Sequence, residues 1–493
     1  MSLFDKVVPE KVGVSTSWLN DFLDRIEEAN VFMHSCLMMK DGQTIMEAYW
    51  DPVEQDELHR LYSATKSFVS IAIGLLSDKG LLSLDDKIVK FFPDLVSPEK
   101  THPYVYDATI KDLLTMSTPF SVSTYDDPDH SSKEWLASYF CTPADHPSGA
   151  IYNYDSCGTY VLGSIVKRIT GKHFYEYLRE EILDEMGFDK ESRCILGPDL
   201  ESWSGSGILL SLRDFAKFGF MLLNKGKWNG KQMVSEEYVA QATTKQVDNN
   251  QRGFFNPWTC GYGYKFWITK GGAFRMDGAG SQLALCIPEK NFLFVCNADT
   301  QGSSGNETIF AALWDTILNK IGSEVPVENG ATYEAFLARC ESLKLLSMKG
   351  DVTTKTAEAI NHKVYTMNEN PMHITEMSLH FDGDKGYLEY CNARGRKQIH
   401  FGMGEGFTTT FPETHFHGEV LGEPIGREFR TVNSAAWVEE SKLQIRCNII
   451  DVYVGNLTMT VSFKGDEIAV YMHKNAQFFL KDYHGYAGGK AVQ

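Results

Sequence analysis

The feature that most limits the fold of this chain is a change in hydrophobic pattern between residues 320 and 360. Before the change, helical and strand patterns are mixed. After it, apolar and polar residues alternate between Gly, Asp and Asn turns, as in "MSLHFDGDKGYLEY", which is typical of strands with one buried face. We therefore predict a mixed domain (1–325), a linker with one helix (326–359) and an antiparallel β domain, closed or sandwiched (360–493).

The charge of the chain argues against two classes of partner. Its 493 residues include 65 acidic and 47 basic side chains, a formal charge of −18. Such a surface repels nucleic-acid phosphates and anionic lipids. Uncharged apolar runs fall short of the roughly 20 residues of a membrane helix, and the first residues lack a signal-peptide pattern. We expect no nucleic-acid partner, no membrane partner and a cytoplasmic protein.

Cysteine and histidine residues give no metal or disulfide pattern. Ten cysteines are scattered without a CxxC pair, which predicts free thiols in a reducing compartment. His415 and His417 flank Phe416 on a predicted strand and would share one face, but no third ligand accompanies them. We interpret the two histidines as structural or surface residues, and we expect neither a metal nor a cofactor.

The stretch "LYSATKSFVSIAIGLL" places Ser63 and Lys66 at the start of an apolar run. Residues three apart share a helix face, and the residues that follow are apolar nearly all round, which predicts a buried helix. Burial lowers the pKa of a lysine and makes its neutral form a proton acceptor. The alternative is a serine N-cap with a snorkelling lysine. Two further Ser-x-x-Lys matches, 97–100 and 164–167, have surface-like surroundings.

Three motifs in a fixed order carry a family resemblance. They are "SATK" (63–66), "PSGAIYNYDSCGTYVLGSIVKRITGK" (147–172) and "FRMDGAGSQLALCIPE" (274–289). Over about residues 10–320 the chain resembles the serine hydrolases of the β-lactamase and penicillin-binding-protein superfamily. Within it, the chain is similar to the class C-like branch of esterases, D-amino-acid peptidases and 6-aminohexanoate-oligomer hydrolases. The resemblance implies an α/β (α+β) domain with an antiparallel sheet flanked by helices, and a lipocalin-like barrel as the C-terminal all-β domain.

The resemblance implies catalytic roles for three side chains. Ser63 would be the nucleophile, with Lys66 and Tyr154 as the general-base pair. Tyr152 is the alternative to Tyr154, because "YNY" offers both. A tyrosine beside a lysine ammonium has a stabilised phenolate, which would act as a base toward the serine. By analogy, the backbone N–H groups of Ser63 and Ala279 would form the oxyanion hole.

The remaining site candidates come from the same motifs and from nearby aromatic residues. The oxyanion and substrate-binding candidates are Tyr62, Ser156, Trp258, Tyr262, Met276, Asp277, Gly278 and Ala279, with Phe266 and Trp267 as further pocket walls.

Two of these candidates depart from the family pattern. Ser156 stands where the family has Asn, and Met276 stands in the slot of a Lys or His, with Asp277 beside it. Strand alternation predicts that Arg275 faces away from that slot. Without a cation at the position of Met276, the site would bind an anionic substrate poorly. We therefore predict weak or absent β-lactamase activity.

These residues together predict a serine hydrolase that cleaves a small ester or amide through an acyl-enzyme. One alternative is a non-catalytic, penicillin-binding-like ligand-binding or sensor protein. Another is a D-amino-acid peptidase or β-lactamase, and acyl transfer to an amine or alcohol would use the same residues. A homo-oligomer and the role of the β domain stay open.

Overall fold

The computed structural model describes most of the chain, namely residues 3–121, 134–250, 253, 256–324, 327, 329–413, 428–476 and 480–492. The predicted pair His415 and His417 lies outside these residues and stays a prediction. Within the described residues, no helix combines the length and the hydrophobicity needed to span a bilayer.

The first part of the chain combines helices with mostly short strands. The helices are α1 (Thr16–Glu28), α2 (Thr65–Asp78), α3 (Pro103–Asp107), α4 (Ile110–Leu114), α5 (Trp135–Cys141), α6 (Ser156–Thr170), α7 (Phe174–Leu178), α8 (Leu212–Leu223), α9 (Glu236–Ala242) and α10 (Asn306–Leu313). The strands are β1 (Met33–Lys40), β2 (Gln43–Tyr49), β3 (His59–Arg60), β4 (Arg193–Cys194), β5 (Ile208–Leu210), β6 (Lys227–Trp228), β7 (Lys231–Gln232), β8 (Gly261–Tyr262), β9 (Trp267–Ile268), β10 (Phe274–Gly278), β11 (Gln282–Ile287) and β12 (Phe292–Ala298).

An antiparallel sheet of seven strands, in the order β2-β1-β12-β11-β10-β9-β8, organises this described region. Both of its faces are buried. Along β1, Cys36 and Met38 pack in the core that contains α1 and α10, whereas Leu37 and Met39 pack in the core that contains α2 and α8. Strands that are covered on both faces have nearly continuous apolar sequences. The predicted antiparallel sheet flanked by helices is confirmed.

Helix α2 lies in the middle of the helical layer. Every residue from Thr65 to Leu76 is buried, and the helix packs against α6, α7 and α9. Its sequence is apolar on all sides, which is what a helix surrounded by protein requires. The predicted burial of the segment that follows Ser63 is observed.

The second part of the chain is a barrel preceded by two helices. The helices are α11 (Gly330–Glu341) and α12 (Lys355–Ile360), and the strands are β13 (Val364–Met367), β14 (Glu376–Asp382), β15 (Lys385–Asn392), β16 (Gly395–Met403), β17 (Phe407–Phe411), β18 (Phe429–Glu439), β19 (Lys442–Ile450), β20 (Val454–Lys464), β21 (Glu467–Asn475) and β22 (Gly485–Ala491).

Nine of these described strands form a closed ring, and β17 pairs with β18 outside it. All pairs in the ring are antiparallel except β16–β18, whose parallel pairing closes the barrel. Closure removes the exposed edges that an open sheet would present. The predicted all-β barrel is confirmed, while the domain boundaries proposed above stay a prediction.

Candidate active site

Ser63 lies in a tight turn between strand β3 and the buried helix α2. A 3₁₀ turn spans Tyr62–Ala64. Tyr62 has a φ of 47°, in the left-handed region that residues other than glycine seldom adopt. The Leu61 N–H donates to the Ile208 carbonyl at 2.8 Å, which anchors the turn to β5. The turn brings the half-buried Ser63 to the wall of a pocket.

Lys66 is held against Ser63 by its position one turn along the helix. Its Nζ donates to Ser63 Oγ at 2.9 Å and to the Gly205 carbonyl at 2.6 Å. The lysine is only 1% exposed. Burial lowers the pKa of Lys66 from 10.5 to about 7, although the nearby Asp155 carboxylate acts to raise it. At neutral pH, a large fraction of this lysine is therefore neutral and in contact with a hydroxyl.

Tyr154 lies in the pocket wall beside Ser63 and Lys66. Lys66 Nζ is 5.1 Å from the centroid of the Tyr154 ring, and Trp267 stacks on that ring at 5.5 Å. Burial raises the pKa of Tyr154, and a hydrogen bond with Ser63 offsets this only in part. Tyr154 therefore carries a protonated hydroxyl at neutral pH. This corrects the stabilised phenolate expected from the sequence, because desolvation outweighs the hydrogen bond with Ser63.

Strand β10 passes very close to the turn that carries Ser63. A Cβ atom on Gly278 would lie 2.0 Å from the Leu61 carbonyl oxygen, so only glycine allows this approach. As a result Gly278 and Ala279 line the same pocket as Ser63. The third motif thus brings backbone next to the nucleophile, in the region predicted to hold an oxyanion.

The pocket has a volume of about 520 Å³, apolar walls and a polar end. Its aromatic lining residues are Tyr154, Trp258, Trp267 and Phe310. Its polar end includes Asn256, Arg275, Asp277, Asn306 and Glu307. Concave sites with apolar walls and a few placed polar groups are typical of small-molecule binding.

Two of the three charged groups at the polar end, Arg275 and Asp277, neutralise each other, while the Glu307 carboxylate accepts from Asn256 Nδ2 at 3.1 Å. Arg275 Nε donates to Asp277 Oδ2 at 2.9 Å, and Asn306 Nδ2 donates to both Asp277 carboxylate oxygens at 2.7 Å. The Arg275 guanidinium also donates to the Trp258 carbonyl. Arg275 therefore lines the pocket as part of an ion pair, with its Nε and Nη1 groups directed at protein acceptors.

The sequence analysis placed the Met276 side chain in the substrate site, and the structure corrects this placement. Met276 is fully buried in the core that contains α2 and α8, while Arg275 and Asp277 line the pocket. Side chains alternate along β10 as predicted, but the pocket lies on the face opposite to the one assigned.

Four more sequence candidates lie outside the pocket lining, and one of them, Phe266, is fully buried in the core that contains α2 and α8. The Tyr62 hydroxyl bonds to the backbone of Val454 in the barrel. Ser156 begins helix α6. Tyr262 is buried, 5.2 Å from the Trp267 ring and 5.5 Å from the ring of Tyr152, the alternative to Tyr154.

A buried pair beneath the site was missed by the sequence analysis. Asp155 caps helix α6 by accepting from the N–H groups of Cys157 and Gly158, at 2.8 and 3.2 Å, which fixes the segment that carries Tyr154. Burial raises the pKa of Asp155 and lowers that of its neighbour Lys265. An Asp immediately before an apolar helical run is an N-cap signal that could have revealed it. The pocket segment 303–307 has no comparable signal.

Comparison with known proteins identifies the family. The model of the family described as beta-lactamase matches residues 34–314, more than half of the chain. The chain belongs to the β-lactamase family. The matched region contains Ser63, Lys66, Tyr154 and Ala279, and it excludes the barrel.

Individual relatives are distant. The chain is 24% identical over 283 residues to a 6-aminohexanoate-dimer hydrolase of Paenarthrobacter ureafaciens, covering 53% of this chain and 70% of that protein. It is 27% identical over 170 residues to a lovastatin esterase of Penicillium rubens, covering 29% of this chain and 42% of that protein. A penicillin-binding protein homologue from Caulobacter crescentus shares the fold, with a TM-score of 0.52 at 16% identity, over 63% of this chain and 99% of that one.

Proposed function

We propose that this member of the β-lactamase family is a serine hydrolase that cleaves a small ester or amide through an acyl-enzyme on Ser63. The observation that carries the proposal is the contact of Lys66 Nζ with Ser63 Oγ at 2.9 Å in a buried setting. A lysine of pKa about 7 is able to accept a proton at neutral pH, whereas an exposed lysine is not. Two relatives bear the names of a hydrolase and an esterase, which supports the same reaction class.

In the first step, neutral Lys66 accepts the Ser63 proton while Oγ forms a bond to the substrate carbonyl carbon. The carbonyl π electrons move to oxygen, where the N–H groups of Ser63 and Ala279 stabilise the charge. The oxyanion then collapses and the bond to the alcohol or amine breaks. That leaving group takes the proton from the Lys66 ammonium by way of the Tyr154 hydroxyl, so the site is neutral again.

In the second step, water replaces the leaving group. Lys66 accepts a proton from the water as its oxygen attacks the acyl carbon. The bond between the acyl carbon and Ser63 Oγ breaks, and Oγ regains a proton from Lys66. The carboxylic acid leaves, and the enzyme returns to its starting state without a metal or organic cofactor in the sequence of steps.

The pocket lining favours neutral acyl groups. The aromatic walls suit an apolar acyl chain, and the volume of about 520 Å³ suits a small substrate. Arg275 is already bonded to Asp277, so its charge is compensated before an anionic substrate arrives. Nitrocefin, an anionic β-lactam, should therefore be turned over slowly or not at all.

The test is hydrolysis of p-nitrophenyl butyrate by the wild type and by Ser63→Ala, with intact-mass spectrometry of the quenched reaction. Ser70→Ala is the matched control, since Ser70 lies on the same helix and bonds the Tyr238 hydroxyl away from the pocket. We expect hydrolysis and a butyryl adduct with the wild type and the control. Both should be lost in Ser63→Ala. Equal activity in Ser63→Ala, or inactivity of the wild type toward a panel of esters and amides, would contradict the proposal.

A further inference from the structure

We propose that the barrel is part of the catalytic apparatus. Its β19–β20 hairpin positions the nucleophile turn (residues 61–64) through Tyr62 and the proposed oxyanion turn (residues 278–282) through Val454. This inference rests on the proposed function, because that function assigns the nucleophile to one turn and an oxyanion donor to the other. The hairpin comprises residues 450–456, with Ile450 paired to Val454. The family match ends at residue 314, before the barrel begins, so it does not indicate a function for the barrel.

The hairpin bonds directly to the residue before the nucleophile. The Tyr62 hydroxyl accepts from the Val454 N–H at 3.1 Å and donates to the Val454 carbonyl at 3.3 Å. A tyrosine hydroxyl has one donor and acceptor capacity, and both are used on one residue. Tyr62 is only 2% exposed and has the left-handed φ of 47°. A conformation of this kind persists where surrounding contacts fix it, and here two of those contacts come from the barrel.

The same hairpin contacts the segment that follows strand β12 and approaches the turn after Ala279. Gln301 Nε2 donates to the Val454 carbonyl at 2.9 Å, and Asn456 Nδ2 donates to Asp299 Oδ2 at 2.7 Å. A Cβ on Gly280 would lie 3.5 Å from a Val454 methyl group, so Val454 packs against the turn that follows Ala279. Val454 therefore bonds to the nucleophile turn and lies close to the proposed oxyanion turn.

A third contact connects the hairpin to Arg60, which in turn holds the segment that bonds Lys66. The Arg60 N–H donates to the Val452 carbonyl at 3.1 Å, and the Arg60 guanidinium lies 5.1 Å from the Tyr453 ring centroid. Arg60 also donates to the Ser206 carbonyl at 2.8 Å and to its hydroxyl at 3.0 Å. The residue before Ser206 is Gly205, whose carbonyl accepts from Lys66.

The first of these contacts gives Tyr62 a positioning role, and the other two tie the hairpin to the rest of the site. Its side chain faces the barrel rather than the pocket, so it does not touch the substrate. Displacement of a reacting group by about 1 Å costs up to about 100-fold in rate. Loss of the two hydrogen bonds to Val454 should therefore lower kcat and leave KM nearly unchanged.

The experiment compares Tyr62→Phe with Tyr390→Phe in the full chain. The control removes a buried tyrosine hydroxyl that bonds Tyr483 inside the barrel, far along the chain from the hairpin. We expect Tyr62→Phe to lower kcat for p-nitrophenyl butyrate about 10-fold, with KM within about twofold. Hydrogen exchange of segments 61–64 and 278–282 should become faster in Tyr62→Phe alone.

Two results would overturn the proposal. One is exchange in both segments that matches the wild type in Tyr62→Phe. The other is a fall in kcat of the same size in Tyr390→Phe, which would indicate a general effect of barrel stability. Ser63→Ala is measured in parallel. If activity proves independent of Ser63, the proposed function fails, and the exchange comparison alone decides whether the hairpin positions the two turns.

Discussion

Two pockets in the described residues have nearly the same volume but very different linings. The pocket at Ser63 measures about 520 Å³. The second, which we call the barrel pocket, measures about 540 Å³ and is lined by His362, His380, Phe381, Asp382, Lys385, Gly386, Tyr387, His400, Phe401 and Phe407. Volume alone would not distinguish an active site from a surface cleft.

The difference lies in where the charges are. In the barrel pocket, Asp382 and Lys385 are exposed, and the rings of His380 and Tyr387 stack on each other at 4.3 Å. At Ser63, by contrast, Lys66 is fully buried, and its pKa is lowered to about 7. A buried group with a strongly altered pKa beside a nucleophile is typical of a reactive site. Each prediction below pairs a change at the first pocket with a change at the second or at another control position.

The largest effect is expected from Lys66→Met. This change keeps most of the side-chain volume and removes the amine that contacts Ser63 Oγ. Loss of a general base costs about 10²- to 10⁴-fold, so kcat/KM for p-nitrophenyl butyrate should fall by about 10²- to 10⁴-fold. The control, His380→Gln in the barrel pocket, should stay within about twofold of the wild type. Retention of a tenth of the activity in Lys66→Met would rule out a base role for this lysine.

A smaller effect is expected from Gly278→Ala, compared with Gly386→Ala. Each new Cβ would clash with a backbone carbonyl oxygen, that of Leu61 at 2.0 Å and that of His380 at 2.7 Å. Both changes should destabilise the fold by about 1–3 kcal/mol. Only Gly278→Ala should also lower kcat, by about 100-fold, because it displaces a proposed oxyanion donor. Thermal unfolding and kinetics together separate the two effects, and equal kcat losses would remove the distinction between the pockets.

Much of the fold could be predicted because it depends on local pattern. The period-two alternation after residue 360 predicted strands, and these strands form the barrel. The unbroken apolar run after Ser63 required a buried helix, and i, i+3 spacing placed Lys66 beside the serine. These inferences need only the geometry of one element at a time.

What could not be predicted depends on contacts between distant residues. Alternation along β10 separates Arg275 from Met276, but which of the two faces the pocket depends on how the sheet packs. The protonated state of Tyr154 follows from burial by other segments. The contact of Tyr62 with Val454 joins residues 392 positions apart. Single-sequence patterns contain no information on such pairs.

The pH profile should report the difference between the pockets directly. Because Lys66 acts in its neutral form and has a pKa of about 7, kcat/KM should rise with pH below 7 and level off above it. The expected ratio between pH 8 and pH 6 is about 10. His380 lines the barrel pocket and not the pocket at Ser63, so its ionisation should not affect this rate, and His380→Gln should keep the same pH profile. If kcat/KM instead rose with a single midpoint near pH 10, Lys66 would titrate like an exposed lysine.

The smallest effect is expected from Asp277→Asn, which tests charge compensation at the polar end of the pocket. Asparagine keeps a carbonyl oxygen for Arg275 and for Asn306, but it removes the charge that now neutralises the guanidinium. The pocket should then favour an anionic acyl group by a few-fold, since a screened charge contributes about 1 kcal/mol at such distances. The measurement is the ratio of kcat/KM for the p-nitrophenyl esters of succinic and butyric acid. Asp382→Asn in the barrel pocket should leave this ratio unchanged. An unchanged ratio in Asp277→Asn would mean that Arg275 does not sense the acyl group, and the neutral-substrate preference would then need another cause within the lining.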